Sequence, residues 1–296
     1  MRLVRFQAEN EVKLGVVLDS EKILDVTRVM KSANRGIVYH DVLAVIKDGQ
    51  TGLSLVEEAA KNFDPDFVIH AQDVKILAPY LPERNVFCLG KNYVAHAKEF
   101  DGRNDDSAIP NQPIIFTKPP SSVVATQESV YSYPELTSEL DYEAEIAVII
   151  GTEGINIEPE EAWNYVFGFS LINDLTARDL QKKHQQWFKG KSLDGFCPFG
   201  PCVVTMNDIA SVNDIDVYCL VNGEERQRSS LKQLIFDIPQ IISVLSRGMR
   251  LQAGDIIATG TPEGVGMGYT PPRFLKPGDV VTVGSSQIGE LVNTII

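Results

Sequence analysis

Basic residues are scarce. Lysine and arginine number 27 against 40 aspartates and glutamates, so the 296-residue chain carries a formal net charge of −13. No Lys/Arg block offsets that field locally, which argues against a nucleic-acid partner. An acidic protein still accepts an acidic metabolite where a metal ion supplies local positive charge. Cysteine is sparse too. Cys88, Cys197, Cys202 and Cys219 form no Cys-x-x-Cys pair and have no histidine at zinc-motif spacing. Such usage fits a reducing cytoplasm. Long apolar runs are missing: Ile146 to Ile150 falls far short of the roughly 20 residues that span a bilayer. The start, Met1 to Phe6, runs into Gln7, Glu9 and Asn10 without the apolar stretch of a signal peptide. A cytoplasmic chain with no membrane partner is therefore expected. Only four histidines occur, His40, His70, His96 and His184, so candidates for a near-neutral base are few.

What is present is globular. Apolar residues make up 44% and charged residues 23%, which excludes a disordered chain or a fibre. Residues 1–77 read as a small α+β unit. Strands are expected at Arg2 to Phe6 and Lys13 to Leu18, a turn at Asp19 to Lys22, and helices at Tyr39 to Ile46 and Leu53 to Ala60. Ala78-Pro79-Tyr80-Leu81-Pro82 reads as a linker, because two prolines break regular structure. Residues 78–296 then form a second unit of short β-prone runs punctuated by Gly and Pro. Asn222-Gly223 is the strongest hairpin signal. Helices are expected only at Tyr93 to Phe100, Glu158 to Tyr165, Ala177 to Gln186 and Ile238 to Arg247. Alternating βαβ units are absent, so the fold class is mostly β with some α, a barrel-like or sandwich core.

Several motifs bear on chemistry. Gly190-Lys191-Ser192 resembles the end of a phosphate loop, but Gln185 stands where that loop needs glycine. The run Gly260 to Gly268 lacks a dinucleotide register; it reads as a structural turn or as a loop that lets backbone approach a ligand. Glu143 and Glu145 lie two apart, on one face of a strand. Two such carboxylates need open solvent or a cation. The apolar run Ile146 to Ile150 that follows favours a hard cation with oxygen ligands. Asp174 ends another apolar run and is either a third oxygen ligand or a helix cap. His96 and Glu99, three apart, share a helical face and make either a surface pair or a base with its orienting carboxylate. The polar stretch Asp101 to Gln112 follows them, as a lid or hinge would, and Arg103 within it is a candidate for a second substrate carboxylate or a solvated side chain.

Taken together and in order, these residues resemble the fumarylacetoacetate hydrolase family. The similarity runs from about Val74 to Ile296. It is carried by Gly90-Lys91-Asn92-Tyr93 with His96 and Glu99, Asp141 to Glu145, Asn173 to Gln181, Gly190 to Asp194, Thr259 to Gly266, and Leu275 to Asp279. The resemblance implies a rolled, mixed β-sheet or barrel core with a metal inside it, preceded by a small N-terminal domain. It implies Glu143, Glu145 and Asp174 as ligands of Mg²⁺ or Mn²⁺, His96 and Glu99 as a dyad on a lid helix, and Lys191 as the cation beside developing enolate charge. Gln181 and Thr261 resemble substrate-contacting positions, and a homodimer is implied. The expected reaction is carbon–carbon cleavage of a 2-oxo acid, most simply hydrolysis of an acylpyruvate to pyruvate and a carboxylic acid. Decarboxylation of oxaloacetate is the alternative, with isomerisation or hydration of an unsaturated 2-oxo acid behind it. A binding protein that had lost catalysis would be expected to lack some of these side chains; all are present.

Overall fold

The structure, a computed structural model, describes residues 1–33, 36–103 and 105–296. Asn104, in the polar stretch after the dyad, lies outside the described residues. Two sheets make the framework. The larger runs, in spatial order, through Val68–His70, Lys22–Asp25, Glu11–Val17, Arg2–Ala8, Cys197–Thr205, Val166–Asn173, Ala144–Ile150, Ile256–Ala258, Val86–Gly90 and Ile114–Lys118. The smaller runs Glu224–Ser230, Asp216–Val221, Val280–Ser285, Gly289–Ile295 and Ser129–Val130.

The expected barrel is not formed. The larger sheet ends in Val68–His70 on one side and Ile114–Lys118 on the other, and these end strands do not pair with each other. Closure needs that last pairing; here the two sheets bury their apolar faces on one another instead. Ile146 and Val148 share a core with Val217, Cys219, Val281 and Val283 of the smaller sheet. The opposite face of the same strand, Ala147 and Ile149, belongs to a second core with Val42, Val45 and Val56 of the N-terminal helices. A strand buried on both faces reads as a continuous apolar run, which is why all seven residues of Ala144–Ile150 are buried.

Local signals match well. Asn222 and Gly223 both take positive φ, 52° and 79°, and join the antiparallel strands Asp216–Val221 and Glu224–Ser230. The expected helix at Glu158 to Tyr165 is a tighter 3₁₀ turn over Pro159–Tyr165. The strand through Pro201 runs from Cys197 to Thr205. The proline-bearing stretch after Leu77 is irregular but packed. Tyr80 is buried, donates its hydroxyl to the Gly254 carbonyl at 3.1 Å and sets its ring edge-on against Phe199. Upstream, Arg2 and Leu3 pair with Val204 and Val203, so the first strand is part of the larger sheet.

Candidate metal centre and active site

The strand Ala144–Ile150 and its neighbour Val166–Asn173 pair antiparallel, with Ala144 opposite Asn173. This register brings Glu143, Glu145 and Asp174 to one end of the pair. Glu143 sits one residue before the strand and is held there by its N–H donating to Asn173 Oδ1 at 3.0 Å. Each of the three buried carboxylates offers an oxygen within 4.8 Å of the others.

Three cations face this charge. Lys191 Nζ bridges Glu143 at 2.8 Å and Asp174 at 2.6 Å. Lys118, fully buried at the end of an edge strand, donates to Asp174 at 2.6 Å and to the Leu175 carbonyl at 3.0 Å. Arg178 reaches Glu143 at 2.7 Å and Asp141 at 2.8 Å. Four carboxylates against three cations leave one excess negative charge. The excess falls on Glu145. Burial pushes its carboxyl well above the usual carboxylate range, and the charges of Asp174 and Glu143 add to the effect. Burial also acts against the ionised Glu143, but Lys191 and Arg178 outweigh it and hold that group below the usual range. Likewise burial opposes the Lys191 ammonium, while Asp174 and Glu143 raise its pKa overall.

Glu145 tests whether a cation fits. Its Oε2 accepts from the Gly260 N–H at 2.8 Å, whereas its Oε1 is buried without a hydrogen-bond partner. An acceptor left bare beside two further carboxylates suits a hard divalent ion with oxygen ligands. The residues present therefore fit Mg²⁺ or Mn²⁺.

The glycine-rich loop is more than a turn. Its backbone N–H groups satisfy three carboxylates: Gly260 that of Glu145, Gly264 that of Glu99 at 3.0 Å, and Gly266 that of Asp141 at 2.6 Å. Gly264 has φ +97°, and a Cβ there would lie 2.0 Å from the Arg226 carbonyl oxygen. A Cβ on Gly268 would lie 2.0 Å from Glu99 Oε1. The loop thus accepts the helix Val94–Asp101 at close quarters. On that helix His96 is buried, and its Nδ1 lies 3.2 Å from Glu99 Oε2. One carboxylate both orients the imidazole and anchors the helix to the loop.

His96, Glu143, Gln181, Lys191 and Thr261 line one cavity. Gln181 accepts from Arg178 at 3.3 Å. Thr261 donates to the Ala144 carbonyl at 3.0 Å and accepts from Gln227 at 2.8 Å. Arg103 stands apart: it is exposed and lies 3.4 Å from the Ser107 hydroxyl. Sequence reasoning missed Lys118 and Gln227. Lys118 reads as an ordinary lysine closing an edge strand, and Gln227 sits in a strongly polar hairpin strand, yet both are buried. The signal for Lys118 was faint: the following Pro119-Pro120 stops the strand, so its last side chain must turn somewhere. Gly190, rejected as part of a phosphate loop, has a packing role. A Cβ there would lie 2.6 Å from the Gln181 backbone nitrogen, so glycine lets the short helix carrying Lys191 press onto the preceding one.

A model of the fumarylacetoacetate (FAA) hydrolase C-terminal region matches residues 85–296. The chain belongs to the fumarylacetoacetate hydrolase family. Among family members, the oxaloacetate tautomerase YisK of Bacillus subtilis is 42% identical over the full length of both chains. A fumarylacetoacetate hydrolase structure from Exiguobacterium antarcticum is similar with a TM-score of 0.85 and 44% identity, covering 100% of this chain and 99% of that one. A maleylpyruvate hydrolase from Sphingobium, solved with manganese(II) and pyruvate, superposes with a TM-score of 0.78 at 29% identity, covering 100% and 99%. Full-length relatives of the chain thus include hydrolases and an oxaloacetate tautomerase.

Proposed function

We propose that this chain is a Mg²⁺- or Mn²⁺-dependent enzyme that cleaves a carbon–carbon bond in a 2-oxo acid of the acylpyruvate type. The observation that carries the reading is the bare Glu145 Oε1 within a buried carboxylate triad, of which Glu143 and Asp174 pair with Lys191 and Glu143 lines the same cavity as His96. Glu143, Glu145 and Asp174 would hold the ion, which when bound draws electrons from the carboxylate and keto oxygens of a 2-oxo acid. His96, oriented by Glu99, takes a proton from water for attack on the distal carbonyl. Lys191 lies where negative charge grows as pyruvate enolate departs, and Gln181 and Thr261 position the substrate. Chemistry is assigned to residues 78–296 and a supporting role to 1–77.

The same groups serve enol–keto exchange of oxaloacetate, a second reading that the full-length likeness to a tautomerase favours. Decarboxylation of oxaloacetate also passes through pyruvate enolate. The test is to assay the Mg²⁺-loaded protein on acetylpyruvate, fumarylpyruvate and oxaloacetate, following pyruvate release and enol absorbance separately. Pyruvate from an acylpyruvate supports cleavage. Enol decay without pyruvate release moves the assignment to tautomerisation.

Lys191→Ala is expected to lower turnover more than metal affinity, because its ammonium matters most as the enolate forms. Unchanged turnover at saturating metal and substrate would remove Lys191 from the mechanism. Metal itself should stabilise the fold. At a hundredfold excess over its Kd, a ligand confined to the native state adds about 2.7 kcal/mol, so melting should shift upward with Mn²⁺ and return with EDTA. A melting temperature indifferent to both would argue against a resident ion.

A cytoplasmic homodimer acting on a small molecule, without nucleic acid or membrane, completes the proposal. The net charge of −13 supports the exclusion of nucleic acid, and no helix among the described residues is long and apolar enough to cross a membrane. Light scattering on the purified chain tests the dimer.

A further inference from the structure

The cavity that holds His96 and Lys191 has a volume of only about 10 Å³. That is about the room one water needs, so no acylpyruvate enters without a wall giving way. One end of the cavity is polar and fixed, with Glu143 and Lys191 locked into the ion-pair network. The other end is aromatic. Trp187 packs between Phe100 of the lid helix, at 5.6 Å between ring centroids, and Phe116 of the edge strand, at 5.5 Å. Trp187 is only half-buried and lines the cavity. Its ring rests on the backbone of Gly90: a Cβ there would lie 2.2 Å from the indole Cζ3. Any side chain at position 90 would unseat the ring.

Trp187 is also tied to the reacting end. Its carbonyl accepts from the Lys191 N–H at 3.1 Å, and Lys191 Nζ sits 4.9 Å above the Phe116 ring. Trp187 therefore lies one helical turn before Lys191, and the two side chains line the same cavity. The polar end is tied by ion pairs, whereas the aromatic end is held only by one tilted and one edge-on ring contact, which a substrate can displace.

We infer that Trp187, seated on Gly90 between Phe100 and Phe116, is the specificity-determining wall of the site and limits the length of the group beyond the 2-oxo acid head. The inference rests on the proposed 2-oxo acid reading and adds a size limit to it. It selects short substituents, because each further methylene must push the indole off its seat.

Calorimetry on the Mn²⁺-loaded protein tests the wall apart from turnover, using pyruvate, 2-oxobutanoate, 2-oxopentanoate and 2-oxohexanoate as probes. The wild-type protein should bind them progressively more weakly with length. In Trp187→Ala the affinity for 2-oxohexanoate relative to pyruvate should rise at least about tenfold, the scale of one or two methylenes in an apolar pocket. Trp187→Leu, which keeps an apolar residue in place should the smaller variant fail to fold, should move the ratio the same way by less. An unchanged ratio in the folded variants overturns the wall while leaving the 2-oxo acid reading intact. A wild-type protein that binds Mn²⁺ but not pyruvate overturns that reading, and the wall with it.

Discussion

Glu145→Gln should abolish turnover and weaken Mn²⁺ binding by at least about a hundredfold, the upper end of what losing even an outer partner of a metal ligand costs. The substitution is nearly isosteric, and its amide oxygen can still accept from the Gly260 N–H, which in the parent lies 2.8 Å from Glu145 Oε2. What disappears is the charge on the oxygen that has no protein partner. Without metal the sign should reverse. The parent must bury an excess carboxylate beside Asp174 and Glu143, so the variant should melt higher than the parent in EDTA and lower than the parent in Mn²⁺. The pH dependence follows from the direction of the Glu145 shift. Its pKa is raised by burial and by like charges, and a metal must displace any proton it carries. Mn²⁺ affinity should therefore fall as pH drops into the range where the raised group protonates, above the ordinary glutamate range. Isothermal titration across that range checks it. A Mn²⁺ isotherm identical in Glu145→Gln and parent would place the ion elsewhere.

His96→Ala should cut acylpyruvate hydrolysis by roughly 10²–10⁴-fold while leaving Mn²⁺ affinity nearly unchanged. The imidazole is buried on the helix Val94–Asp101, 3.2 Å from Glu99, and is no member of the carboxylate triad. In the proposed mechanism it is a proton acceptor rather than a ligand. Glu99→Ala should give part of the same loss and also loosen the helix, since Glu99 accepts the Gly264 N–H at 3.0 Å. The two variants differ in a way that separates the roles: added imidazole should partly restore His96→Ala but not Glu99→Ala. Oxaloacetate provides the contrast. Decarboxylation needs no water to attack carbon, so His96→Ala should affect it mainly through lid closure and protonation of the enolate. A wild-type protein inert on every acylpyruvate but fast on oxaloacetate would shift the assignment away from hydrolysis.

Much of this was legible in the chain because the relevant signals are local. A spacing of two places Glu143 and Glu145 on one side of an extended segment whatever the rest of the chain does. A spacing of three puts His96 and Glu99 on one helical face. Asn222-Gly223 demands positive φ at both positions and so sets a hairpin. The apolar run through Ile150 marks a strand buried on both sides. Other features depend on partners far away in sequence and could be decided only by packing. Lys118 meets Asp174 across 56 positions, and Arg178 meets Asp141 across 37. Neither pairing leaves a periodicity to read, because an ion pair is selected by burial and by the absence of competing water. The glycine loop was ambiguous for the same reason, until its N–H groups were seen to serve Glu145, Glu99 and Asp141. Whether the sheet closes is likewise a long-range matter. Side-chain alternation specifies which face of a strand is apolar, but not whether the two end strands meet. The geometry of Trp187 over Gly90 lies furthest from sequence, since a glycine at a strand end looks like any other until a ring is found resting on it.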